Sequence, residues 1–258
     1  MLKFLRMLVG AIFVVPVLVV TYIFYPVILL LRKAGARTFA DSLMWTVLRF
    51  LARWIMFFFG ANMHIVGKEN IPQGSGKYCV IGNHTSMFDI VALLCPAGLR
   101  LSFVGKIEIK KLPIIRGWFR LIDAVYIDRK NPRQSLKAII DGSRMIEAGH
   151  AMSIFPEGTR STDGRIHEFK AGSFKMASRV GGIIVPVVCK GTRTVFEDGH
   201  SLLRRPVYLE FLPHISTEGM SEEELRELPV KVQNMIQDAY DRLPPIKGLI
   251  VKPHEAEA

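Results

Sequence analysis

The sequence predicts an α/β fold in which a mainly parallel central sheet is flanked by helices and preceded by an N-terminal two-helix membrane-associating motif. From residue 78 onward, short apolar runs rich in β-branched residues alternate with longer helical patterns. Such alternation is typical of a parallel sheet covered by helices. The residues before it form apolar segments with few charges. We therefore divide the chain into N-terminal membrane-associated helices, residues 1–60, and an α/β domain, residues 61–258.

The composition narrows the classes of partner. The chain has 258 residues, half of them apolar, and a formal net charge of +11. A net positive charge of this size is typical of proteins that bind an anionic membrane surface, a phosphorylated substrate or nucleic acid. The apolar N-terminus favours the first two, and we expect no nucleic-acid partner. Cys79, Cys95 and Cys189 lie in separate apolar runs without a C-x-x-C pattern, which indicates buried thiols in a reducing compartment.

Two apolar segments begin the chain. Residues 7–31 carry no charge and are long enough to cross a bilayer, although Pro16 and Pro26 would kink the helix. Residues 42–59 carry Arg49 and Arg53, which share one helix face and indicate an interfacial helix or a hairpin partner. Basic residues flank both ends of the first segment, so its orientation stays open. A single span, a monotopic or re-entrant hairpin and a buried helix of a soluble protein remain alternatives.

The alternating patterns of the body predict six strands and several helices. The strands are expected at residues 78–82, 101–104, 124–127, 151–155, 183–188 and 207–211. The helices are expected at residues 87–94, 110–121, 132–148 and 169–180, with a C-terminal pair at 221–227 and 230–243 that Pro229 separates. Sites in such sheets lie beyond the carboxyl ends of the strands.

One such strand end carries a histidine and a carboxylate. His84 follows the strand 78–82 after one residue, and Asp89 lies five residues further on. On a continuous helix the two side chains would be about 140° apart, so they meet only if His84 precedes the helix, with Thr85 or Ser86 as its N-cap. His84 would then be a general base oriented by Asp89 that activates a hydroxyl of the substrate. Alternatively, Ser86 and Asp89 form only a capping box.

Three further strand ends carry cations. Residues 155–161 place Gly158 and Arg160 in a turn where backbone N–H groups and a guanidinium can contact an anion. Arg129 and Lys106 follow two other predicted strands. Each has an ordinary alternative, namely a common turn, a surface ion pair or a solvated lysine. Together with His84 they predict chemistry on a phosphorylated substrate.

With these motifs assembled, the sequence resembles the glycerolipid acyltransferases, in particular the 1-acylglycerol-3-phosphate (lysophosphatidate) acyltransferases. The family's N-H-x-x-x-x-D motif corresponds to residues 83–89 and its F-P-E-G-T-R-S motif to residues 155–161. An aromatic-Ile-Asp-Arg core occupies residues 126–129, and a Val/Ile-x-Pro-Val run occupies residues 184–187. The family often has a glycine shortly before the aromatic core, where this sequence has Asp123-Ala124.

This resemblance implies a mechanism. His84, held by Asp89, would deprotonate the sn-2 hydroxyl of lysophosphatidate, which attacks the thioester of acyl-CoA or acyl-carrier protein and yields phosphatidate. No cofactor or metal is expected. The partners would be the lipid substrate, the acyl donor and the cytosolic face of a membrane, the plasma membrane in a bacterium. The residues implied to bind substrate are Lys106, Arg129, Glu157, Gly158, Thr159 and Arg160, with Glu157 either contacting the glycerol or bracing its turn.

Two alternatives stay open. The same chemistry would serve another acceptor, such as glycerol-3-phosphate, another lysophospholipid or a lyso-aminolipid. A protein of another class, a non-catalytic basic lipid-binding membrane protein, would use His84 only at a helix end.

Overall fold

A computed structural model describes residues 2–73, 77–198 and 204–249, so the predicted α/β domain beyond residue 249 lies outside the described residues. The described residues form α-helices and strands joined by short 3₁₀ turns. The helices are α1 Leu2–Thr21, α2 Phe24–Lys33, α3 Arg37–Phe58, α4 Phe88–Leu93, α5 Pro113–Leu121, α6 Pro132–Glu147, α7 Ala171–Ser178, α8 Thr192–Val195 and α9 Glu222–Arg242. The strands are β1 Ala61–Val66, β2 Tyr78–Gly82, β3 Leu101–Lys106, β4 Val125–Ile127, β5 Ala151–Ile154, β6 Ile183–Lys190, β7 Arg205–Phe211 and β8 Ile215–Ser216.

The strands form one mixed sheet in the order β1-β7-β6-β2-β5-β3-β4, with β8 paired to the start of β6. The five neighbours from β6 to β4 run parallel to one another. Strand β7 is antiparallel to β6, and β1 runs parallel to β7. The predicted mainly parallel α/β fold is therefore confirmed, and the carboxyl ends of β6, β2, β5, β3 and β4 meet at one edge.

Helices cover both faces of this sheet. Tyr78 and Val80 of β2 pack into a cluster with α2, α3 and α5 on one face, whereas Cys79 and Ile81 pack against α6, α7 and α9 on the other. All of β2 is buried. Burial on both faces explains why the central strands are continuous apolar runs rather than alternating ones.

All six predicted strands are present, with ends shifted by at most two residues. Strands β1 and β8 and the short helix α8 were not predicted. Strand β1 lies at the sheet edge, where Ala61 is buried and Met63 and Ile65 are half-buried, and β8 has two residues. An element as short as β8 leaves little periodicity in the sequence. The apolar and polar residues of β1 alternate, which is a strand pattern that the prediction missed.

The predicted break at Pro229 is wrong, because α9 runs through it without interruption. Proline inside a helix costs about 3 kcal/mol. Leu228, Pro229, Val232 and Ile236 are all buried, and burying large apolar side chains returns about 1.5–3 kcal/mol each. Tertiary packing of this face therefore outweighs the local preference.

The first apolar segment forms two helices, α1 and α2, separated by a turn at Tyr22 and Ile23. A proline ring clashes with the carbonyl four residues before it, and Tyr22 is four residues before Pro26. Pro26 itself lies in the first turn of α2, where a missing N–H breaks no intrahelical bond. The kink predicted for Pro26 is thus confirmed, while Pro16 lies inside a continuous α1.

Helix α3 runs back along both of these helices. The Trp54 indole N–H donates to the carbonyl of Phe13 (3.0 Å), and near the other end Arg32 pairs with Asp41 (2.6 Å). The α1–α2 segment therefore lies antiparallel to α3 along most of its length. We call these three helices the N-terminal hairpin.

Arg49 and Arg53 of α3 face the α/β domain. Arg49 donates from Nε to the carbonyl of Pro96 (3.1 Å), and Arg53 donates from Nε to the carbonyl of Cys95 (3.0 Å). They share one helix face, as the spacing predicts, and that face is fixed to the loop after α4.

Candidate active site

His84 follows β2 at the centre of the carboxyl edge and is buried. Its ring stacks on Phe155, with centroids 4.1 Å apart and planes 11° from parallel. The preceding Asn83 donates to the carbonyl of Cys189 (2.9 Å) and accepts from its N–H (2.8 Å). This pair of bonds continues the ladder between β2 and β6 past the strand end, so the backbone that carries His84 is held in place.

Asp89 contacts His84 directly. His84 Nδ1 lies 2.9 Å from Asp89 Oδ2. The same oxygen accepts the backbone N–H groups of Thr85 (2.8 Å) and Ser86 (2.9 Å). Helix α4 begins at Phe88, whose N–H donates to Ser86 Oγ (3.0 Å). Asp89 therefore caps the helix and orients His84 at once, so the two interpretations left open by the spacing describe one arrangement.

The pairing sets the chemistry of the imidazole. Because Nδ1 donates to the carboxylate, the neutral ring carries its proton there and leaves Nε2 as an acceptor. Asp89 is fully buried, and a buried carboxylate requires several donors. The hydroxyl of Thr192 supplies another by donating to Oδ1. Such a pair can take a proton from a hydroxyl placed at Nε2 and stabilise the resulting imidazolium.

Glu157 attaches the neighbouring turn to this histidine. It is buried, and its oxygens accept the backbone N–H groups of His84 (2.7 Å) and His167 (3.4 Å). The N–H of Ser161 donates to the carbonyl of His84 (2.8 Å). Burial raises the pKa of Glu157 to about 8, although the two backbone donors oppose the rise. These contacts favour the bracing role among the two that the resemblance implies.

Gly158 shapes the turn after Glu157. Its φ is 76°, in the left-handed region that strains other residues, and an added Cβ would lie 2.9 Å from Lys170 Nζ. The next residue, Thr159, donates from its hydroxyl to the carbonyl of Arg160 (3.2 Å). The turn thus brings the Lys170 ammonium group close to its backbone.

Arg160 contacts an acidic residue that the sequence did not identify. Its Nη1 lies 3.2 Å from Glu197 Oε1. Glu197 also accepts the hydroxyl of Ser86 (2.6 Å) and the N–H of Met87 (3.0 Å), so it supports the start of α4. Neither Glu197 nor Thr192 belongs to the quoted motifs, and each lies more than 100 residues from its partner near α4.

Lys106 and Arg129 lie on the other side of His84. Lys106 pairs in register with Ile127, two residues before Arg129, and its ammonium lies 3.0 Å from Glu108. Arg129 lines a pocket of about 440 Å³ between α6 and α7. The structure therefore brings Lys106 and Arg129 to the β3–β4 end of the edge, whereas Arg160 faces Glu197 beside α4.

The loop before β4 keeps a glycine-like conformation. Asp123 has a φ of 53°, the one non-glycine residue with a positive φ among those the structure describes. Aspartate tolerates this region better than most residues. At this departure from the family pattern, Asp123 thus has a left-handed backbone of the kind that glycine adopts readily.

The cysteine thiols take no part in the chemistry of this site. Cys79, Cys95 and Cys189 are buried, unpaired thiols. Burial raises the pKa of Cys79 and of Cys95 to about 12 and that of Cys189 well above its ordinary value. A thiol needs a low pKa and access to react, so none of the three has the properties of a nucleophile.

Known proteins share both sequence and fold with this chain. The 1-acyl-sn-glycerol-3-phosphate acyltransferase of Saccharomyces cerevisiae is 27% identical over 252 residues, which cover 90% of this chain and 82% of the yeast protein. The chloroplastic enzyme LPAT1 of Arabidopsis thaliana is 34% identical over 139 residues, 54% of this chain and 38% of the plant protein. The chain thus spans less than half of the length of that relative.

The fold is shared with a solved structure. The 1-acyl-sn-glycerophosphate (LPA) acyltransferase PlsC from Thermotoga maritima superimposes with a TM-score of 0.76 at 24% identity, over 94% of this chain and 99% of that one. A family model described as Acyltransferase matches residues 62–190, half of the chain, from β1 to the end of β6. This match includes the His84–Asp89 pair and the turn at Glu157, and it shows that the chain belongs to the Acyltransferase family.

Proposed function

We propose that the protein transfers a fatty acyl group from a thioester to the sn-2 hydroxyl of 1-acylglycerol-3-phosphate, forming phosphatidate. The observation that carries this proposal is the buried His84–Asp89 pair, whose 2.9 Å contact leaves His84 Nε2 as the acceptor. The donor is acyl-CoA or acyl-carrier protein. The relatives are named 1-acyl-sn-glycerol-3-phosphate acyltransferases, which supports 1-acylglycerol-3-phosphate as the acceptor. No cofactor or metal enters the proposed reaction.

The reaction proceeds in two steps on His84. Nε2 takes the proton of the sn-2 hydroxyl while the oxygen attacks the thioester carbonyl carbon. The tetrahedral intermediate then breaks its carbon–sulfur bond, and the imidazolium returns the proton to the departing thiolate. Asp89 stabilises the imidazolium between the steps. The hydroxyl of the acceptor is itself the nucleophile, so the acyl group passes directly to it without a nucleophilic side chain.

The acceptor phosphate must lie close to His84, because only a few bonds separate it from the sn-2 oxygen. Arg160 is suited to bind it, since its turn is bonded to the backbone of His84 through Glu157 and Ser161. Strand β4 lies three strands from β2, about 14 Å at ordinary strand spacing. We therefore assign the acceptor phosphate to Arg160 and place Lys106 and Arg129, at the β3–β4 end of the edge, outside this contact.

Membrane association is proposed from the N-terminal hairpin. Residues 10–33 are long enough to span a bilayer and contain an 18-residue stretch that has a mean hydropathy of 2.5 and is 17% buried. Because this segment lies along α3, which is bonded to the α/β domain, we propose that the hairpin lies in the interface of the cytosolic leaflet. Exposed apolar side chains on its surface include Ile12, Phe13, Val19, Val20, Ile23, Phe24, Leu30 and Phe50.

Thiol release from long-chain acyl-CoA in the presence of lysophosphatidate tests the reaction. His84→Ala should lose at least 10²-fold to 10⁴-fold of the turnover, the usual contribution of a general base, while remaining folded and membrane-bound. Retained turnover in this variant would contradict the mechanism. Screening glycerol-3-phosphate, other lysophospholipids and a lyso-aminolipid separates the alternative acceptors, and absence of turnover on every thioester would favour a lipid-binding protein.

The phosphate assignment and the hairpin have separate tests. Arg160→Ala should raise KM for lysophosphatidate about tenfold, as for a lost charge-assisted hydrogen bond. An unchanged KM would contradict the assignment. Single cysteines at Leu5 and Ala36 should be labelled from the same side of sealed vesicles, whereas labelling from opposite sides would show a span.

A further inference from the structure

The pocket between α6 and α7 gathers four cations. Arg129 precedes α6, Lys170 precedes α7, Lys175 lies within α7, and Arg179 follows it. No carboxylate lines this pocket within the part of the chain that the structure describes, and Glu108 acts on Arg129 from outside it. Like charges held together repel one another, so this arrangement favours an anionic ligand.

The remaining lining is mostly apolar, with Ser135 and Ser173 as its polar side chains. The volume of the pocket, about 440 Å³, exceeds what a phosphate ester alone requires, and its lining includes Ile154 and Phe155 at the end of β5. The apolar side chains between the cations are Val104, Ile127, Leu136, Ile139 and Ile154. A ligand for this pocket therefore combines several negative charges with an apolar or aromatic part.

The position of the pocket indicates which substrate it serves. Phe155 lines it and also stacks on His84, so one end of the pocket lies beside the catalytic histidine. Arg129, at the other end, follows β4, about 14 Å from β2 by strand spacing. The acceptor phosphate is too close to its reacting hydroxyl to reach that far. In a coenzyme A thioester, a whole pantetheine arm separates the reacting carbonyl from the phosphates.

We propose that this pocket binds the phosphates of a coenzyme A thioester, with the pantetheine arm passing Phe155 toward His84. The inference rests on the proposed function and specifies its acyl donor. Four cations match the pyrophosphate and the 3′-phosphate of coenzyme A better than the single phosphate of a carrier-protein arm. Arg129 and Arg160 then serve different substrates.

The test uses Lys175→Ala and Arg179→Ala, both at exposed positions of the pocket. Each should raise KM for acyl-CoA about tenfold, as expected for a lost charge-assisted hydrogen bond, with KM for lysophosphatidate and kcat at saturation unchanged. Lys137→Ala is the matched control, since Lys137 lies on α6, pairs with Asp141 and does not line the pocket. Thermal unfolding of each variant checks that all three are folded.

A binding measurement supplies a readout that does not depend on turnover. Adenosine 3′,5′-bisphosphate should bind the full-length wild-type protein in calorimetry, compete with acyl-CoA, and bind the Lys175→Ala/Arg179→Ala double variant at least tenfold more weakly, in line with loss of two such contacts. Equal binding to both proteins would overturn the proposal. An increase in KM for lysophosphatidate, or an effect only with acyl-carrier-protein thioesters, would overturn it as well.

The two proposals can fail separately. Turnover of lysophosphatidate and acyl-CoA that is indifferent to Lys175→Ala and Arg179→Ala refutes the donor pocket and leaves the acyltransferase function standing. If the protein has no turnover on lysophosphatidate but binds the bisphosphate through these residues, the proposed acceptor is refuted and the nucleotide site is supported.

Discussion

Replacing Asp89 by asparagine separates its two structural roles. In the wild type, Oδ2 accepts from His84 and from the N–H groups of Thr85 and Ser86, while Oδ1 accepts from Thr192. An asparagine oxygen in the place of Oδ2 keeps the first three bonds. Its NH₂ group then faces the Thr192 hydroxyl, which can rotate to accept. We therefore expect the cap to survive, with a loss of stability within about 1 kcal/mol.

Catalysis should not survive equally well. A carboxylate and an imidazolium with charge centres about 4 Å apart attract each other by about 4 kcal/mol at an effective dielectric constant near 20. A neutral hydrogen bond retains about 1 kcal/mol of this. The remaining difference of about 3 kcal/mol corresponds to a loss of roughly 10²-fold in kcat.

The assay measures kcat by thiol release at saturating acyl-CoA and lysophosphatidate, beside thermal unfolding of the same preparation. Asp163→Asn is the matched control, because Asp163 pairs with His167 at 3.1 Å outside the proposed mechanism. It should keep wild-type kcat. If Asp89→Asn retained kcat within about fivefold of the wild type, a difference of only ~1 kcal/mol, Asp89 would be a helix cap alone.

Three further outcomes are expected. Burial raises the pKa of Glu157 to about 8 from 4.5, so the neutral form stabilises the folded protein fully below pH 4.5, and this contribution is lost as the pH rises to about 8. In denaturation measured across this pH window, Glu157→Gln should therefore lose less unfolding free energy than the wild type. An unchanged pH dependence would contradict the burial argument. Glu197→Ala should lower kcat about tenfold, because it removes the acceptors of two hydrogen bonds at the start of α4, each worth about 1 kcal/mol. Glu197→Gln should retain much of the wild-type kcat. Equal losses of kcat in both variants would argue that Glu197 does not support the start of α4 through these bonds. Treatment of the folded protein with iodoacetamide should leave Cys79, Cys95 and Cys189 unmodified, as measured by mass spectrometry, and should leave turnover intact, as measured by thiol release. Inactivation in proportion to the modification of one of these cysteines would indicate a required thiol.

The sheet was predictable because its central strands are buried on both faces. Their mostly apolar runs, ended by Gly82-Asn83 and by Phe155-Pro156, identify both the strands and the turns that follow. The edge strand β1 alternates between less exposed and exposed residues, which is the pattern of a half-buried strand, although no strand was predicted there. Pro229 shows the opposite case, in which a strong local signal was overruled by burial of the residues around it.

The sequence alone determined which side chains lie at the carboxyl edge, because a residue directly after a parallel strand lies at that edge of the sheet. His84, Glu157 and Arg129 were located in this way, and the spacing from His84 to Asp89 limited their contact to one arrangement at a helix start. Tertiary structure decided which of these side chains act together. Strand order lies outside local sequence patterns, and it places Arg129 three strands from His84. The partners Thr192 and Glu197 come from chain segments more than 100 residues away, where only folding brings them to α4.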